Sequence, residues 1–305
     1  MALKQIKSKI LAMKKSQTVT KAMEAVSAAK MRKSQLKALN GRAYAKAAVS
    51  VLSRVSGSRL FSSLPLTTER SVTAALYIVI TSDKGLAGAL NSGVLRTAVA
   101  DIQASGLKKD VVSIIAVGKK ASDFFERRGF HVVHHANTDH ISSEFIDTVV
   151  RQAIQRFLLG AVDLVKIAYP NLISTFEQRP TMRTILPLTL GELQKVVSDI
   201  VPARGVATSA LVESTKKVVQ SYSLEPSEEE ILEMILPKLV SIFVYHALLE
   251  SQASEHSARM VAMKSASDKA GEMQESLTLK FNKVRQAAIT REVSEITGGM
   301  EAMAS

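Results

Sequence analysis

Residues 249–288 read LESQASEHSARMVAMKSASDKAGEMQESLTLKFNKVRQAA. Taking every third and fourth residue gives Leu249, Ala253, His256, Met260, Met263, Ser267, Ala270, Gln274, Leu277, Phe281, Val284 and Ala288. A strict alternation of threes and fours is the period of a helix wound against another helix. Most of the seam is apolar, though many of its residues are small or flexible. The next two positions, Arg291 and Glu295, are charged. A helix that sheds its seam while staying helical outruns its partner, and beyond that point it must contact something else.

The partner is sought at the other end of the chain. Leu3, Ile6, Ile10 and Met13 lie on one helical stripe; Val19, Met23, Val26 and Ala29 take up a shifted one. Ala-rich sequence continues to about Val55, with Gly41 the one weak point before Gly57 and no proline. This predicts a single opening helix of roughly 50 residues, about 75–80 Å long. Met1 to Met23 is amphipathic, Lys-rich and free of acids, much like a mitochondrial presequence. The pattern runs on past any cleavage site, which favours a structural helix.

Between these helices the pattern changes. Continuous apolar, β-branched runs at Ala74–Thr81, Val111–Val117, Phe130–Val133 and Asp163–Tyr169 read as strands. Helical stretches separate them: one from about Asn91, one over Ser122–Arg128 and one over Ser142–Leu159. Strand-like patterns return at Met182–Leu188 and Val218–Leu224. Alternating strands and helices predict an open, mainly parallel, Rossmann-like α/β sheet with some late antiparallel pairing. Glu228, Glu229 and Glu230 follow Pro226 as the first turn of the closing helix. That helix is expected to bend at Pro237 and stop at Gly298–Gly299. The domain reading is a shaft helix over 1–58, an α/β domain over 70–225, and a second shaft helix over 226–305 that pairs with the first.

Two helices far longer than a globular core needs bracket one α/β domain. Pairing them antiparallel hides both apolar stripes and makes a rod, either a shaft or a dimerisation arm. Charge sharpens the picture. The chain of 305 residues has a net charge of +12, yet residues 1–60 hold 14 Lys and Arg against one acid, Glu24. Nearly all the excess sits on the opening helix, which points to an acidic partner. Nucleic acid is one such partner, making a basic coiled-coil nucleic-acid-binding protein the alternative reading. Cysteine and tryptophan are absent, which removes disulfides, thiolate chemistry and extended base-stacking platforms. The longest wholly apolar run, Ala74–Ile80, is too short to cross a bilayer.

Enzyme signatures are weak. The loop Thr81–Asn91 follows a strand and opens a helix, where phosphate loops sit. Its glycines, Gly85 and Gly88, match neither G-x-G-x-x-G nor a P-loop, so it reads as a structural turn. His134, His135 and His140 cluster with Asp139 without shared metal geometry and read as a solvated loop. Glu250, Ser254, Glu255 and His256 are catalytic residue types on a helix that shows no surrounding pocket. No catalytic, cofactor or metal residues are assigned.

Five stretches in three regions of the chain carry a resemblance. Residues 247–264 (ALLESQASEHSARMVAMK) with 281–299 (FNKVRQAAITREVSEITGG), residues 6–10 with 20–33 (TKAMEAVSAAKMRK), and residues 80–91 (ITSDKGLAGALN) are similar to the closing helix, opening helix and first strand of the gamma subunit of F-type ATP synthases. The resemblance implies a central-stalk rotor, present once per complex and without an active site. Its terminal helices would stand inside a hexamer of alpha and beta subunits, and its α/β domain on the c-ring with the epsilon subunit. It would transmit torque rather than bind nucleic acid. Arg285, Gln286 and Thr290 match positions that hydrogen-bond a beta-subunit loop. Met23, Lys9, Asp83 and Lys84 match positions near beta's acidic lever loops, with Lys4, Lys7, Lys14 and Lys15 on the same track. Glu225 matches a position at the ring and epsilon foot. Ala87 stands where many relatives carry Cys, and no Cys pair or regulatory insert lies between about Leu190 and Ala210. The implied location is the cytoplasmic face of a bacterial plasma membrane, peripheral to it, with an organellar inner membrane as the alternative.

Overall fold

In a computed structural model, residues 2–55, 61, 63–138, 142–189, 191 and 227–304 are described. The chain divides into two compact units: residues 1–28 with 259–305, and residues 29–258. Helix α1 (Ala2–Val55) and helix α5 (Glu228–Ala304) each contribute to both.

The larger unit is built on five strands. β1 (Ala75–Ile80), β2 (Val112–Val117), β3 (His131–Ala136) and β4 (Leu164–Leu172) run parallel, and β5 (Gln178–Leu186) pairs antiparallel with β4. The order is β3-β2-β1-β4-β5. Helices α2 (Leu90–Ala104), α3 (Lys119–Glu126) and α4 (Ser143–Leu158) are the crossovers. Alternate residues of a strand face opposite sides, and here both sides are covered. Leu76, Ile78 and Ile80 meet Val149, Ala153 and Phe157 of α4 together with Leu236, Val240 and Phe243 of α5. Tyr77 and Val79 meet Val94 and Ala98 of α2 and Phe125 of α3. That two-sided burial is why β1 is written as an unbroken apolar run.

The predicted mainly parallel sheet with late antiparallel pairing is what forms. The helix expected at 122–128 starts three residues earlier, at Lys119. The strand expected over 218–224 lies outside the described residues. Gly298–Gly299 does not end α5, which continues to Ala304. Helical glycine costs about 1 kcal/mol relative to alanine, a penalty that weakens a helix without terminating it. His134 and His135 belong to β3 rather than to a solvated loop. Burial, with the neighbouring His135 as a second cause, lowers the pKa of His134. The most apolar 18 residues within Glu229–Met300 have mean hydropathy 1.6, long and apolar enough to cross a bilayer by composition. Leu232, Leu236, Leu239 and Phe243 nevertheless lie buried against the sheet.

The entry to β1 is pinned electrostatically. The Asp163 carboxylate accepts hydrogen bonds from the Thr73 hydroxyl (2.6 Å) and the Thr73 and Ala74 amides (2.8 and 3.1 Å). The Thr73 hydroxyl bond is the largest cause that holds the carboxyl below its usual range. A depressed folded pKa contributes stability that is complete above the unfolded value and lost as pH falls through the folded one. Asp163→Asn is therefore expected to flatten the acid limb of stability against pH, checked by urea midpoints below pH 5 compared with neutral pH. An unchanged acid limb would remove this role.

Candidate functional site

The signature stretch of α5 crosses the carboxyl end of the parallel strands, where open α/β sheets hold ligands. Its polar side chains bond to the loops found there. The Glu250 carboxylate accepts from the Leu172 amide at 3.3 Å, and the Ser254 hydroxyl donates to the Pro170 carbonyl at 2.9 Å. The Ser257 hydroxyl donates to the Thr175 carbonyl at 2.6 Å, and the Gln252 amide to the Thr138 carbonyl at 3.2 Å. Glu250, Ser254 and Ser257 are buried. The residue types that suggested catalysis thus fasten a helix to a sheet edge. Ser254→Val is expected to cost about 1–3 kcal/mol, the usual cost of leaving a buried carbonyl unpaired. Equilibrium unfolding measures it, and a loss under 0.5 kcal/mol would contradict the assignment.

The loop Thr81–Asn91 is wired in the same way, and it serves as a turn. Asn91 accepts from the Ser82 amide and donates to its hydroxyl. Asp83 accepts from the Lys119 amide at 2.9 Å, and from the Thr138 amide and hydroxyl at 2.7 and 2.9 Å. One carboxylate thereby ties the exits of β1, β2 and β3. Beside it opens a cleft of about 230 Å³, lined by Lys30, Lys33, Ser34 and Lys37 of α1, Asp83 and Lys84, Thr138, and Gln252, Glu255 and His256 of α5. The expectation that no pocket adjoins Glu255 and His256 is corrected. A helix pattern shows its own faces, but not the loops folded over them.

In the smaller unit α1 and α5 pair antiparallel. A side chain added at Gly271 would meet the Gln17 amide at 2.7 Å, so these two positions face each other. From that register the start of α1 comes level with Arg285. Along α5, Met263, Ser267 and Ala270 are buried; Gln274, Leu277, Phe281, Val284 and Ala288 are half-buried. From Ile289 to Met300 every position is exposed. The seam read from sequence fades where its partner ends.

Along α1 the expected shift of stripe does not occur. The covered positions include Leu3, Ile6, Ile10, Met13, Gln17, Thr20, Glu24 and Ser27, one unbroken alternation of threes and fours, with Met23 and Ala28 half-buried beside it. Val19 and Val26 are 57% and 56% exposed. The seam keeps its register and becomes polar, whereas apolarity moves to the outer face. Hydroxyls make this tolerable: Thr20 donates to the Ser16 carbonyl and Ser27 to the Met23 carbonyl of their own helix.

A family model described as ATP synthase matches residues 2–303. The ATP synthase gamma chain of Heliobacterium modesticaldum is 37% identical over 303 residues, covering 99% of this chain and 99% of that one. The chain belongs to the ATP synthase gamma-chain family. Two solved structures share the fold. A chain of the Tetrahymena thermophila mitochondrial ATP synthase central stalk and c-ring aligns with a TM-score of 0.60 at 23% identity, covering 82% of this chain and 99% of that one. One from the Euglena gracilis mitochondrial ATP synthase aligns with a TM-score of 0.64 at 20% identity, covering 99% and 94%.

The residues carried over from the gamma-chain pattern fall in different places. Arg285, Gln286 and Thr290 are exposed at the changeover from paired to lone helix, with the Thr290 hydroxyl turned back to the Gln286 carbonyl at 3.0 Å. Lys9 is exposed on α1 and Met23 half-buried beside the seam. Both Asp83 oxygens are engaged within the chain, whereas Lys84 is exposed at the cleft. Glu225 lies outside the described residues. Sequence reasoning missed Lys30, Lys33 and Lys37 as a group, although their i, i+3, i+7 spacing was legible.

Proposed function

We propose that this chain is the rotor shaft of an F-type ATP synthase, coupling rotation of a membrane c-ring to catalysis in an alpha–beta hexamer, and that it holds no active site itself. The observation that carries this reading is the bare end of α5. Ile289, Val293, Ile296 and Met300 form a more than half-exposed apolar stripe at spacings of four, three and four, beyond the last covered seam residue. Such a stripe seats a lone helix in an apolar bearing. Arg285, Gln286 and Thr290 stand at the mouth of that bearing, where an Arg fork can hold a beta-subunit carboxylate bidentately. Met23, Lys9 and Lys84 face the acidic lever loops of beta; Asp83 braces the loop that presents Lys84. Glu225 belongs to the foot on the ring and epsilon subunit. The 37% identical relative is bacterial, which supports a peripheral position on the cytoplasmic face of a plasma membrane.

The test is assembly. Mixed with alpha and beta subunits, the chain should yield a complex holding one copy that hydrolyses ATP, and removal of residues 289–305 should reduce its coupled turnover. Failure to assemble, or turnover indifferent to the tip, would sink the shaft reading. Steep, salt-dependent binding of DNA by residues 1–60 without assembly would favour the nucleic-acid alternative.

A further inference from the structure

The cleft beside Asp83 holds three lysines of α1 to which the shaft role assigns nothing. Lys30, Lys33 and Lys37 reach it from α1, and Lys84 reaches it from the β1–α2 loop. All four are exposed, and none is paired with an acid among the described residues. Like charges three or four apart on a helix repel and destabilise it, and Lys84 adds a fourth charge from a separate segment. Two acids line the same space. The Asp83 carboxylate is taken up by three donors from Lys119 and Thr138, and Glu255 also makes an interaction within the chain. Cations are therefore in excess over the acids.

Position adds a second argument. Asp83 and Thr138 follow the carboxyl ends of β1 and β3, the edge at which open α/β sheets take ligands. The end of β4 is occupied by the bonds of Glu250, Ser254 and Ser257, whereas this cleft is open. We infer that the cleft is an anion site that takes a phosphate group, either inorganic phosphate or the phosphate chain of a larger molecule. Lysines suit phosphate as rotatable point charges, and charge-assisted bonds to it are the strong ones. Apart from the His256 imidazole the lining has no aromatic surface on which a base could stack, so recognition stops at the phosphate. A bound group would bridge α1, the β1–α2 loop and α5.

Phosphorus NMR and calorimetric titration of the full chain with inorganic phosphate, pyrophosphate and metal-free ATP test this at fixed ionic strength. One site is expected, with pyrophosphate tighter than phosphate and ATP no tighter than pyrophosphate. Lys33→Gln and Lys84→Gln should each weaken binding about tenfold, the worth of one hydrogen bond to a charged group. Lys108→Gln, an exposed lysine outside the cleft, should leave it unchanged. Absence of saturable binding to all three probes overturns the site. So does binding indifferent to Lys33 and Lys84, or equally weakened by Lys108→Gln. Binding of ATP alone would replace the phosphate site with a nucleotide site. Assembly with alpha and beta subunits is scored separately, so loss of the anion site leaves the shaft reading standing.

Discussion

Met263→Asp should melt the paired region of α1 and α5. Met263 is 5% exposed on the seam, and its neighbours along that seam, Ser267 and Ala270, are buried too. The substitution removes a packed thioether and places a carboxylate where water is scarce. The combined penalty is roughly 3 kcal/mol. Far-UV circular dichroism should show a loss of helix at a lower temperature than in the parent chain. In complexes with alpha and beta subunits, coupled turnover should fall with it. Leu279→Asp is the matched control. Leu279 is 72% exposed, so the same change there should stay within about 0.5 kcal/mol. Equal effects at both positions would mean that the seam does not hold the pair together.

The second large effect belongs to the sheet. Gly118 follows β2 with a φ of 94°, and a Cβ there would lie 2.2 Å from the Thr81 carbonyl oxygen. Both the backbone conformation and the contact oppose a side chain. The Thr81 backbone cannot yield readily, because its amide donates to the Val117 carbonyl at 2.8 Å. Gly118→Ala is expected to cost on the order of 4 kcal/mol, combining strain at positive φ with overpacking. Gly129→Ala separates the two terms. Its φ is 72° but nothing lies within 4 Å of the added carbon, so strain alone applies, at about 1 kcal/mol. Chemical denaturation of both variants decides the matter. Similar losses would show that the Thr81 contact contributes nothing.

Reading by period succeeded where one face of an element meets one partner. The α5 seam was legible from Met263 to Ala288 because each turn there faces α1; β1 was legible for another reason, as an unbroken apolar run whose two faces are both buried. The opening helix misled because Val19 and Val26 look like core while Gln17, Thr20 and Glu24 do not. In a narrow two-helix seam a hydroxyl that bonds its own backbone occupies a covered position at little cost, so hydrophobicity ceases to mark the inside. The cleft was invisible for a different reason. It joins α1, a turn, a loop after β3 and α5, and no periodic pattern records which loops a fold brings beside a helix. The bonds of Glu250 and Ser254 to backbone atoms were hidden likewise, since a carbonyl has no letter in the sequence.

The back-bonded hydroxyls of α1 also bear on how such a chain can drift over generations. Thr20 and Ser27 satisfy their polar atoms within their own helix, so exchange with alanine there strands no partner across the pair. Those two positions are cheap to rewrite and say little about alignment. The ruler sits at the other end, in Leu3, Ile6, Ile10 and Met13 with Leu277, Phe281 and Val284, where bulk must fit bulk. Inherited variation should accordingly collect in the small-residue half, and a shift of one heptad should be resisted by a few side chains near the tip.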